Sequence, residues 1–238
     1  MKTVILAGGR GTRLGSLTDL IPKPMVMIGD RPILWHIMNI YASYHFTDFI
    51  IAGGYKQEII RDWVNGFETK WSIEVVDTGE DTDTGGRIKR LAHKLTDPFF
   101  LTYGDGVGDI DLSKLLVSYT GSTYDYPATL CTVTAVHPPA RFGHLSIERN
   151  RVTEFSEKPM AHEWINGGFF VCKPDLIEEI SGDTTSLERT VLPRLAIQNR
   201  VGVYLHHNFW QCCDVPRDLE LLNRLYANNC PWKINTGI

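Results

Sequence analysis

The sequence lacks the features that mark membrane-spanning and nucleic-acid-binding proteins. No apolar stretch approaches the length of a membrane-spanning helix, and the first apolar run stops at Leu6, too early for the hydrophobic region of a signal peptide. With 24 basic residues against 28 acidic ones, the net charge is −4, so there is no basic excess for nucleic acid or an anionic membrane. We therefore expect a cytoplasmic protein whose partners are small molecules, not nucleic acid or membrane.

Cysteine and histidine are too few and too scattered for a metal or disulfide framework. The five cysteines are an odd number without a CxxC pair, and the eight histidines form no HExxH motif. Adjacent Cys212 and Cys213 leave a redox pair as a minor alternative, because neighbouring cysteines form a disulfide only with strained geometry. We expect most of the cysteines to be buried as small apolar residues.

A glycine-rich loop carrying two cations follows the first apolar segment. The cations are Arg13 and Lys23, and glycine backbone can approach phosphate oxygens or a base edge closely. The loop is not a P-loop or a dinucleotide fingerprint, because Thr12 and Arg13 replace Lys-Ser/Thr and Leu14 stands where a third glycine belongs. The pattern suits a nucleoside triphosphate, and a plain turn between strand and helix is the simpler alternative. The glycines of the loop are Gly8, Gly9 and Gly11.

Apolar runs alternate with amphipathic segments over the first 110 residues, which is typical of a parallel sheet covered by helices. We expect strands at Thr3–Leu6, Phe49–Ala52, Ile73–Val76 and Phe99–Tyr103. From about Pro127 the pattern predicts strands at 128–136, 144–147, 152–155, 168–172 and 201–207, with a helix near 187–198. The predicted fold class is α/β, a Rossmann-like doubly wound mixed sheet with a smaller β-rich sub-region.

Two aspartates end apolar segments and are candidate ligands for a hard cation. Asp105 follows the predicted strand Phe99–Tyr103 between two glycines, and Asp214 follows the apolar segment Phe209–Cys213. Ligands of such a sheet bind beyond the carboxyl ends of the strands, where phosphates would meet these carboxylates. Two carboxylate oxygens with phosphates and water would complete an octahedral Mg²⁺ site. Each aspartate alone has a helix N-cap or turn residue as its alternative.

Three further segments offer polar groups to a ligand. Lys158 is followed by a proline, which restricts its backbone conformation. Lys158 could bind a phosphate, and a surface lysine at a turn is the alternative. Asn166–Gly168 could face hydroxyls, or begin a strand with a bulge. The turn at Gly85–Gly86 could approach a base or ribose, or serve as a helix-entry loop.

These motifs occur in the order seen in a known family. The succession of Leu-Ala-Gly-Gly-x-Gly-Thr-Arg-Leu, Pro-Lys-Pro-Met, Gly-Asp-Gly, Glu-Lys-Pro, Asn-Gly-Gly and a late aspartate resembles the sugar-1-phosphate nucleotidylyltransferases over nearly the whole chain. The resemblance implies a fold of the nucleotide-diphospho-sugar transferase type, a nucleoside triphosphate and a sugar 1-phosphate as substrates, and Mg²⁺ as cofactor. We treat 1–238 as one domain, with 1–126 mainly binding nucleotide and 127–238 mainly binding sugar phosphate. A homo-oligomer is the usual outcome for such enzymes.

The resemblance also implies a role for each motif residue. Arg13 would steady the leaving pyrophosphate and Lys23 the phosphate under attack, as the catalytic residues, and Asp105 and Asp214 would hold the metal. The implied nucleotide-binding residues are Leu6, Ala7, Gly8, Gly9, Gly11, Thr12, Gly85, Gly86 and Asp105. The implied sugar-phosphate-binding residues are Arg141, Glu157, Lys158, Asn166 and Gly167.

Within that family, the resemblance is closest to the branch that joins CTP to glucose 1-phosphate. Two features depart from that branch: the connection between Gly66 and Ile73 is short where a long insertion is expected, and Cys212–Cys213 precede Asp214 in place of another pair. A relative that uses dTTP, UTP or another sugar phosphate is the first alternative. A non-catalytic nucleotide-binding regulatory module on the same fold is the second.

Overall fold

The computed structural model describes residues 1–15, 17–138, 143–157 and 163–233. The strands are β1 (Thr3–Leu6), β2 (Met27–Ile28), β3 (Arg31–Pro32), β4 (Asp48–Gly53), β5 (Ser72–Asp77), β6 (Phe99–Tyr103), β7 (Gly106–Gly108), β8 (Cys131–Val136), β9 (His144–Glu148), β10 (Arg151–Ser156), β11 (Ile165–Cys172), β12 (Val201–Leu205) and β13 (Trp210–Cys212). The α-helices are α1 (Leu17–Leu20), α2 (Ile33–Ala42), α3 (Gln57–Asn65), α4 (Thr84–Arg90), α5 (Leu112–Asp125), α6 (Leu192–Ile197) and α7 (Pro216–Asn228). Short 3-10 turns lie at Thr12–Leu14, Lys23–Met25, Ala92–Lys94 and Pro174–Glu179.

The main sheet has β1 near its centre. Over the described residues its order is β12-β8-β11-β6-β1-β4-β5, and β11 runs antiparallel to both of its neighbours while the other pairs are parallel. The chain builds outward from β1 to β4 and β5, then returns to β6 on the other side of β1. The carboxyl ends of β1 and β6 therefore flank a switch point, where open α/β sheets bind ligands. This topology confirms the predicted α/β class.

Several strands of the second half join the main sheet, and a hairpin pairs apart from it. β8, β11 and β12 join it, and the β9–β10 hairpin pairs separately. β11 begins at Ile165, three residues before the prediction, because its pairing with β8 continues across a shift in register between Asn166 and Phe170. Gly168, with φ of +79°, lies within this irregularity, so the bulged strand start is confirmed.

The predicted helix near 187–198 is present, but its first turn is not α-helical. Leu187–Val191 forms a π-helical turn, and α6 continues from Leu192. Pro193 lies at the start of α6 and has no N–H to donate to an α-helical hydrogen bond, so it cannot extend the α-helical ladder into the preceding turn.

The core lies on both faces of the main sheet, as the alternation of side chains along a strand requires. On one face, Ile5, Phe100 and Val171 belong to a cluster with α2, and on the other, Val4 and Leu101 belong to a cluster with α4 and α6. The predicted apolar face of α2 is confirmed. Its members Ile33, Leu34, Ile37, Met38 and Tyr41 are each 0% exposed.

We expect Phe100→Ala to lower the free energy of unfolding by about 3–5 kcal/mol, the usual cost of an aromatic cavity in a core. Phe100 is fully buried, and its ring packs edge-on against Tyr41 at 5.2 Å and Phe46 at 4.7 Å between centroids. Urea unfolding followed by tryptophan fluorescence measures the change. The control Tyr124→Ala removes a ring that is 85% exposed and should stay within about 0.5 kcal/mol of the parent. Similar losses for both variants would contradict the assigned core.

Candidate active site

The glycine loop after β1 forms one wall of a cavity at the switch point. This cavity, here named the glycine-loop cavity, has a volume of about 430 Å³. Its other walls come from the end of β6 and the start of α4, so segments far apart in sequence meet there. Its lining consists of Leu6, Ala7, Gly8, Gly9, Gly11, Arg13, Lys23, Pro24, Thr82, Asp83, Thr84, Arg87, Tyr103, Gly104, Asp105 and Glu188.

Arg87 forms hydrogen bonds to the backbone of the loops around this cavity. Its guanidinium is buried and donates to the carbonyl oxygens of Gly8 at 3.0 Å, Gly53 at 3.1 Å and Gly79 at 2.6 Å. These carbonyls follow or end β1, β4 and β5, so one side chain ties together three strand ends. Burial lowers the pKa of Arg87 below its ordinary value, but the group remains a cation at neutral pH.

Lys23 lines the glycine-loop cavity and lies between two carboxylates. Its ammonium donates to Asp105 at 2.7 Å and to Asp214 at 2.5 Å, and its side chain is only 11% exposed. Burial by itself would lower the pKa of Lys23, but the charges and hydrogen bonds of Asp105 and Asp214 outweigh that effect and raise the pKa above 10.5. Lys23 is therefore a fixed positive charge at neutral pH.

The fold brings these groups together through a small second sheet. β13 pairs antiparallel with β7, and the N–H of Cys213 donates to the carbonyl oxygen of Asp105 at 2.8 Å, which places Asp214 beside Asp105. The N–H of Asp214 in turn donates to Asp218 at 2.9 Å, in the first turn of α7. Lys23 comes from a 3-10 turn that Pro22 precedes. Both carboxylates are thus fixed through backbone contacts.

Arg13 adds a second cation at the junction with a neighbouring cavity. Its guanidinium lies 2.8 Å from Asp214, and its side chain is 75% exposed. The neighbouring cavity, here named the β13 cavity, has a volume of about 520 Å³, and Arg13, Tyr103 and Asp105 line both. Its other lining residues are Pro138, Ile165, Asn166, Trp210, Gln211, Cys212, Asp214, Val215, Arg217, Asp218 and Leu221. Two ligands could therefore meet at this junction.

The donor set at the junction fits a divalent cation that is shared with bound phosphates. Asp105 and Asp214 already direct an oxygen each at one positive centre, the Lys23 ammonium. Among the described residues, no three histidine, cysteine or acidic side chains converge as a cage. The protein would supply two oxygens, and phosphates and water the rest, which is how Mg²⁺ is usually bound.

A chain of hydrogen bonds links the two cavities. The Thr84 hydroxyl donates to Glu188 at 2.7 Å, Glu188 accepts from the Tyr103 hydroxyl at 2.7 Å, and Tyr103 accepts from the Asn166 amide at 3.1 Å. Thr84 and Tyr103 line the glycine-loop cavity, while Tyr103 and Asn166 line the β13 cavity. The polar walls of both cavities are therefore parts of one network.

Comparison with known proteins agrees with this architecture. The sequence profile of the family described as Nucleotidyl transferase matches residues 2–211, which is most of the chain. The chain belongs to the nucleotidyl transferase family. Among the described residues of this family member, no helix is long and apolar enough to cross a membrane.

Relatives of this nucleotidyl transferase include curated enzymes and solved structures. It is 40% identical over 259 aligned positions to a glucose-1-phosphate cytidylyltransferase of Salmonella typhi, covering 98% of this chain and 99% of that protein. It is 30% identical to a probable mannose-1-phosphate guanylyltransferase 1 of Oryza sativa subsp. japonica, covering 100% of this chain and 69% of that protein. The crystal structure of HddC from Yersinia pseudotuberculosis superposes with a TM-score of 0.75 at 26% identity, covering 94% of this chain and 99% of that one.

The predicted nucleotide-side residues divide into two groups. Leu6, Ala7, Gly8, Gly9, Gly11 and Asp105 line the glycine-loop cavity, as do the predicted catalytic residues Arg13 and Lys23. Thr12 is exposed and is not part of that lining. Gly11 has φ of +63°, and a Cβ there would lie 2.9 Å from the Cβ of Lys23, so glycine at this position gives Lys23 its space.

Gly85 and Gly86 are not among the residues that line the glycine-loop cavity, and a role of their backbone in reading a base stays a prediction. A Cβ on Gly85 would lie 2.6 Å from the carbonyl oxygen of Thr185, and one on Gly86 would lie 2.5 Å from the Cα of Asp183. These glycines let the first turn of α4 pack closely against 183–185. Thr84, at the start of the same helix, faces the cavity instead.

The predicted sugar-phosphate residues are only partly within the described structure. Asn166 lines the β13 cavity, and the carbonyl oxygen of Gly167 accepts from the indole N–H of Trp210 at 2.7 Å beside it. Glu157 is exposed at the end of the β9–β10 hairpin and is not among the lining residues. Arg141 and Lys158 lie outside the described residues.

Cys212 and Cys213, the pair considered as a minor redox alternative, are not joined by a disulfide in the structure. All five cysteines are free thiols. Burial raises the pKa of Cys212 to about 11 and that of Cys213 to about 12, so both thiols stay protonated at neutral pH and are weak nucleophiles.

Sequence reasoning missed Arg87, Tyr103 and Glu188 as site residues. Arg87 directly follows Gly86, and Tyr103 lies two residues before Asp105, so closeness to these two predicted residues was an available signal. Glu188 lies in the π-helical turn, and no motif or spacing marks it. Only the folded chain places its carboxylate between the two cavities.

We expect Gly8→Ala to destabilise the protein while Gly9→Ala leaves it nearly unchanged. A Cβ on Gly8 would lie 2.1 Å from the guanidinium carbon of Arg87, whereas a Cβ on Gly9 would meet nothing within 4 Å. Forcing Arg87 from its carbonyl partners leaves buried polar groups unpaired, at a cost of about 1–3 kcal/mol. Thermal unfolding of the two variants side by side measures the difference. Equal melting temperatures would show that Arg87 is not confined as described.

Proposed function

We propose that this chain transfers a nucleotidyl group from a nucleoside triphosphate to a sugar 1-phosphate, giving a nucleotide sugar and pyrophosphate. CTP and glucose 1-phosphate are the first choice of substrates. The observation that carries the proposal is the meeting of Arg13, Lys23, Asp105 and Asp214 at the junction of two cavities. One cavity takes the triphosphate at the glycine loop, and the other takes the sugar phosphate.

The reaction requires charge neutralisation more than a protein base. An oxygen of the sugar phosphate, already ionised at pH 7, attacks the α-phosphorus, a new P–O bond forms, and the bond to the departing pyrophosphate breaks. Two polyanions repel each other strongly in a partly dry cleft, where the effective dielectric is about 20. In this proposal Lys23, which lines the glycine-loop cavity, stabilises the negative charge of the phosphate under attack, and Arg13 stabilises that of the leaving pyrophosphate.

Mg²⁺ is the proposed cofactor, with Asp105 and Asp214 as its protein ligands. Such an ion would supply positive charge between the phosphates as negative charge moves onto the leaving group. Lys23 neutralises the same two carboxylates in the structure. Lys23 therefore keeps the carboxylates aligned before substrates enter.

The choice of CTP rests on the relatives. The Salmonella typhi enzyme named for glucose 1-phosphate and cytidylyl transfer is 40% identical over nearly the whole length of both chains. A relative named for mannose 1-phosphate and guanylyl transfer is 30% identical, so GTP with mannose 1-phosphate is the competing pair to test. Cytosine and uracil differ in hydrogen-bonding groups that a backbone carbonyl or N–H can distinguish, so UTP and dTTP belong in the same test.

The deciding experiment is a matrix of CTP, UTP, dTTP and GTP against several sugar 1-phosphates, with Mg²⁺ and detection of pyrophosphate. We expect release with CTP and glucose 1-phosphate, and none when Mg²⁺ is omitted and a chelator is present. Release with another pair would reassign the substrates within the family. Binding of a triphosphate without release across the whole matrix would favour the non-catalytic regulatory module.

We expect Lys23→Ala to lower turnover about 30- to 900-fold, which corresponds to roughly 2–4 kcal/mol of lost transition-state stabilisation. The side chain is buried between Asp105 and Asp214, and the variant removes the fixed cation from this position. Steady-state kinetics at saturating substrates measures the loss, and circular dichroism checks folding. The control Lys70→Ala changes an exposed lysine and should keep full activity. Unchanged turnover in Lys23→Ala would remove Lys23 from the mechanism.

A further inference from the structure

We propose that Glu188 is a positioning residue for the sugar phosphate, acting through Tyr103 on Asn166. The inference rests on the proposed function, because it assigns the β13 cavity to the sugar. Glu188 is half-buried and lies in the π-helical turn, and the ion pairs of Lys23 go to Asp105 and Asp214 and not to Glu188. The hydrogen bonds of Glu188 lead instead through Tyr103 toward the β13 cavity.

The surroundings of the Glu188 carboxylate consist of hydroxyl donors. One oxygen accepts from Tyr103 at 2.7 Å, and the other accepts from Thr84 at 2.7 Å and Ser186 at 3.0 Å. Among the described residues no lysine, arginine or histidine forms an ion pair with it. A half-buried carboxylate held by three neutral hydroxyls is an arrangement that orients those hydroxyls.

An ionised carboxylate only accepts hydrogen bonds, so it fixes the direction of its partners. Tyr103 has a single hydroxyl proton, and that proton points at Glu188. The Tyr103 oxygen can then only accept from Asn166, whose amide N–H lies 3.1 Å away.

This direction determines what Asn166 presents to a ligand. Its amide nitrogen faces Tyr103, and its oxygen accepts from the N–H of Gly168 at 2.8 Å, so the amide cannot flip without losing both bonds. Among the described residues, a hydrogen-bond partner is found for only one N–H of the amide, and Asn166 lines the β13 cavity as well as a cavity beside Leu192 and Pro193. A sugar hydroxyl that binds on the β13 side can accept from the second N–H.

Without the carboxylate, the direction of the Tyr103 hydroxyl is no longer fixed. The Tyr103 proton would be free to turn toward Asn166, where it opposes the amide N–H and disturbs the orientation in which Asn166 is otherwise held by Gly168. The predicted effect is weaker sugar-phosphate binding with little change in affinity for the triphosphate. A purely structural role for Glu188 would instead lower the stability and affect both substrates alike.

The test compares Glu188→Met with Glu188→Gln. Methionine fills similar space without a hydrogen-bond acceptor. We expect the KM of Glu188→Met for glucose 1-phosphate to rise about tenfold, because about one hydrogen bond to the substrate is lost. The KM for CTP should stay within about twofold of the parent value. Glutamine keeps a carbonyl oxygen that can accept from Tyr103 while its NH₂ faces Thr84 and Ser186. Glu188→Gln should therefore rescue KM to within about threefold of the parent.

A double variant shows whether Glu188 acts through Tyr103. We expect Tyr103→Phe to raise KM for glucose 1-phosphate by a similar factor, and Glu188→Met combined with Tyr103→Phe to be no worse than either alone. The control Thr190→Ala changes an exposed residue of the same π-helical turn and should leave KM unchanged. Multiplying effects in the double variant, or a KM for Glu188→Met within twofold of the parent, would overturn the inference.

The failure of the proposed function is distinguishable from the failure of this inference. Absence of pyrophosphate release by the parent with every substrate pair rejects the proposed function. Calorimetric binding of glucose 1-phosphate then judges Glu188 independently of turnover. Weaker binding to Glu188→Met than to the parent supports the assignment, and equal or absent binding in both rejects it.

Discussion

The convergence of two carboxylates on the Lys23 ammonium is the constraint on which the site depends. Two negative charges held this close and partly buried would repel each other or take up a proton unless a cation lies between them. Lys23, with its raised pKa, supplies that cation before any ligand arrives. The proposed roles of Lys23, Asp105 and Asp214 toward phosphates and Mg²⁺ all depend on this one arrangement.

Hydrogen bonds to neutral groups hold two charged side chains of this region, Arg87 and Glu188. Arg87 binds carbonyl oxygens at the ends of three strands, so the glycine loop has a fixed backbone without a carboxylate beneath it. Glu188 is satisfied by hydroxyls in the same way. The ion pairs that Lys23 and Arg13 make with the two aspartates lie instead at the junction of the two cavities.

Features that depend on residues close together in sequence were predictable, and features that depend on distant residues were not. β1, β4, β5 and β6 follow from local apolar runs, and Asp105 from its place directly after β6. The packing role of Gly85 depends on Thr185, a hundred residues away in sequence, so no local pattern could separate it from a ligand-binding glycine. Arg87 and Glu188 have backbone carbonyls and hydroxyls as partners, groups that nearly every segment carries, and so their roles become visible only in the folded chain.

Because β13 pairs with β7, the cluster of Lys23, Asp105 and Asp214 is completed late in the synthesis of the chain. Asp214 reaches Asp105 only through this pairing, which joins segments separated by about a hundred residues in sequence. On the ribosome the N-terminal part of a chain emerges and begins to fold first. The glycine loop, Lys23 and Asp105 are therefore synthesised long before their last partner, and a nascent chain gains a complete centre only when translation has passed Asp214.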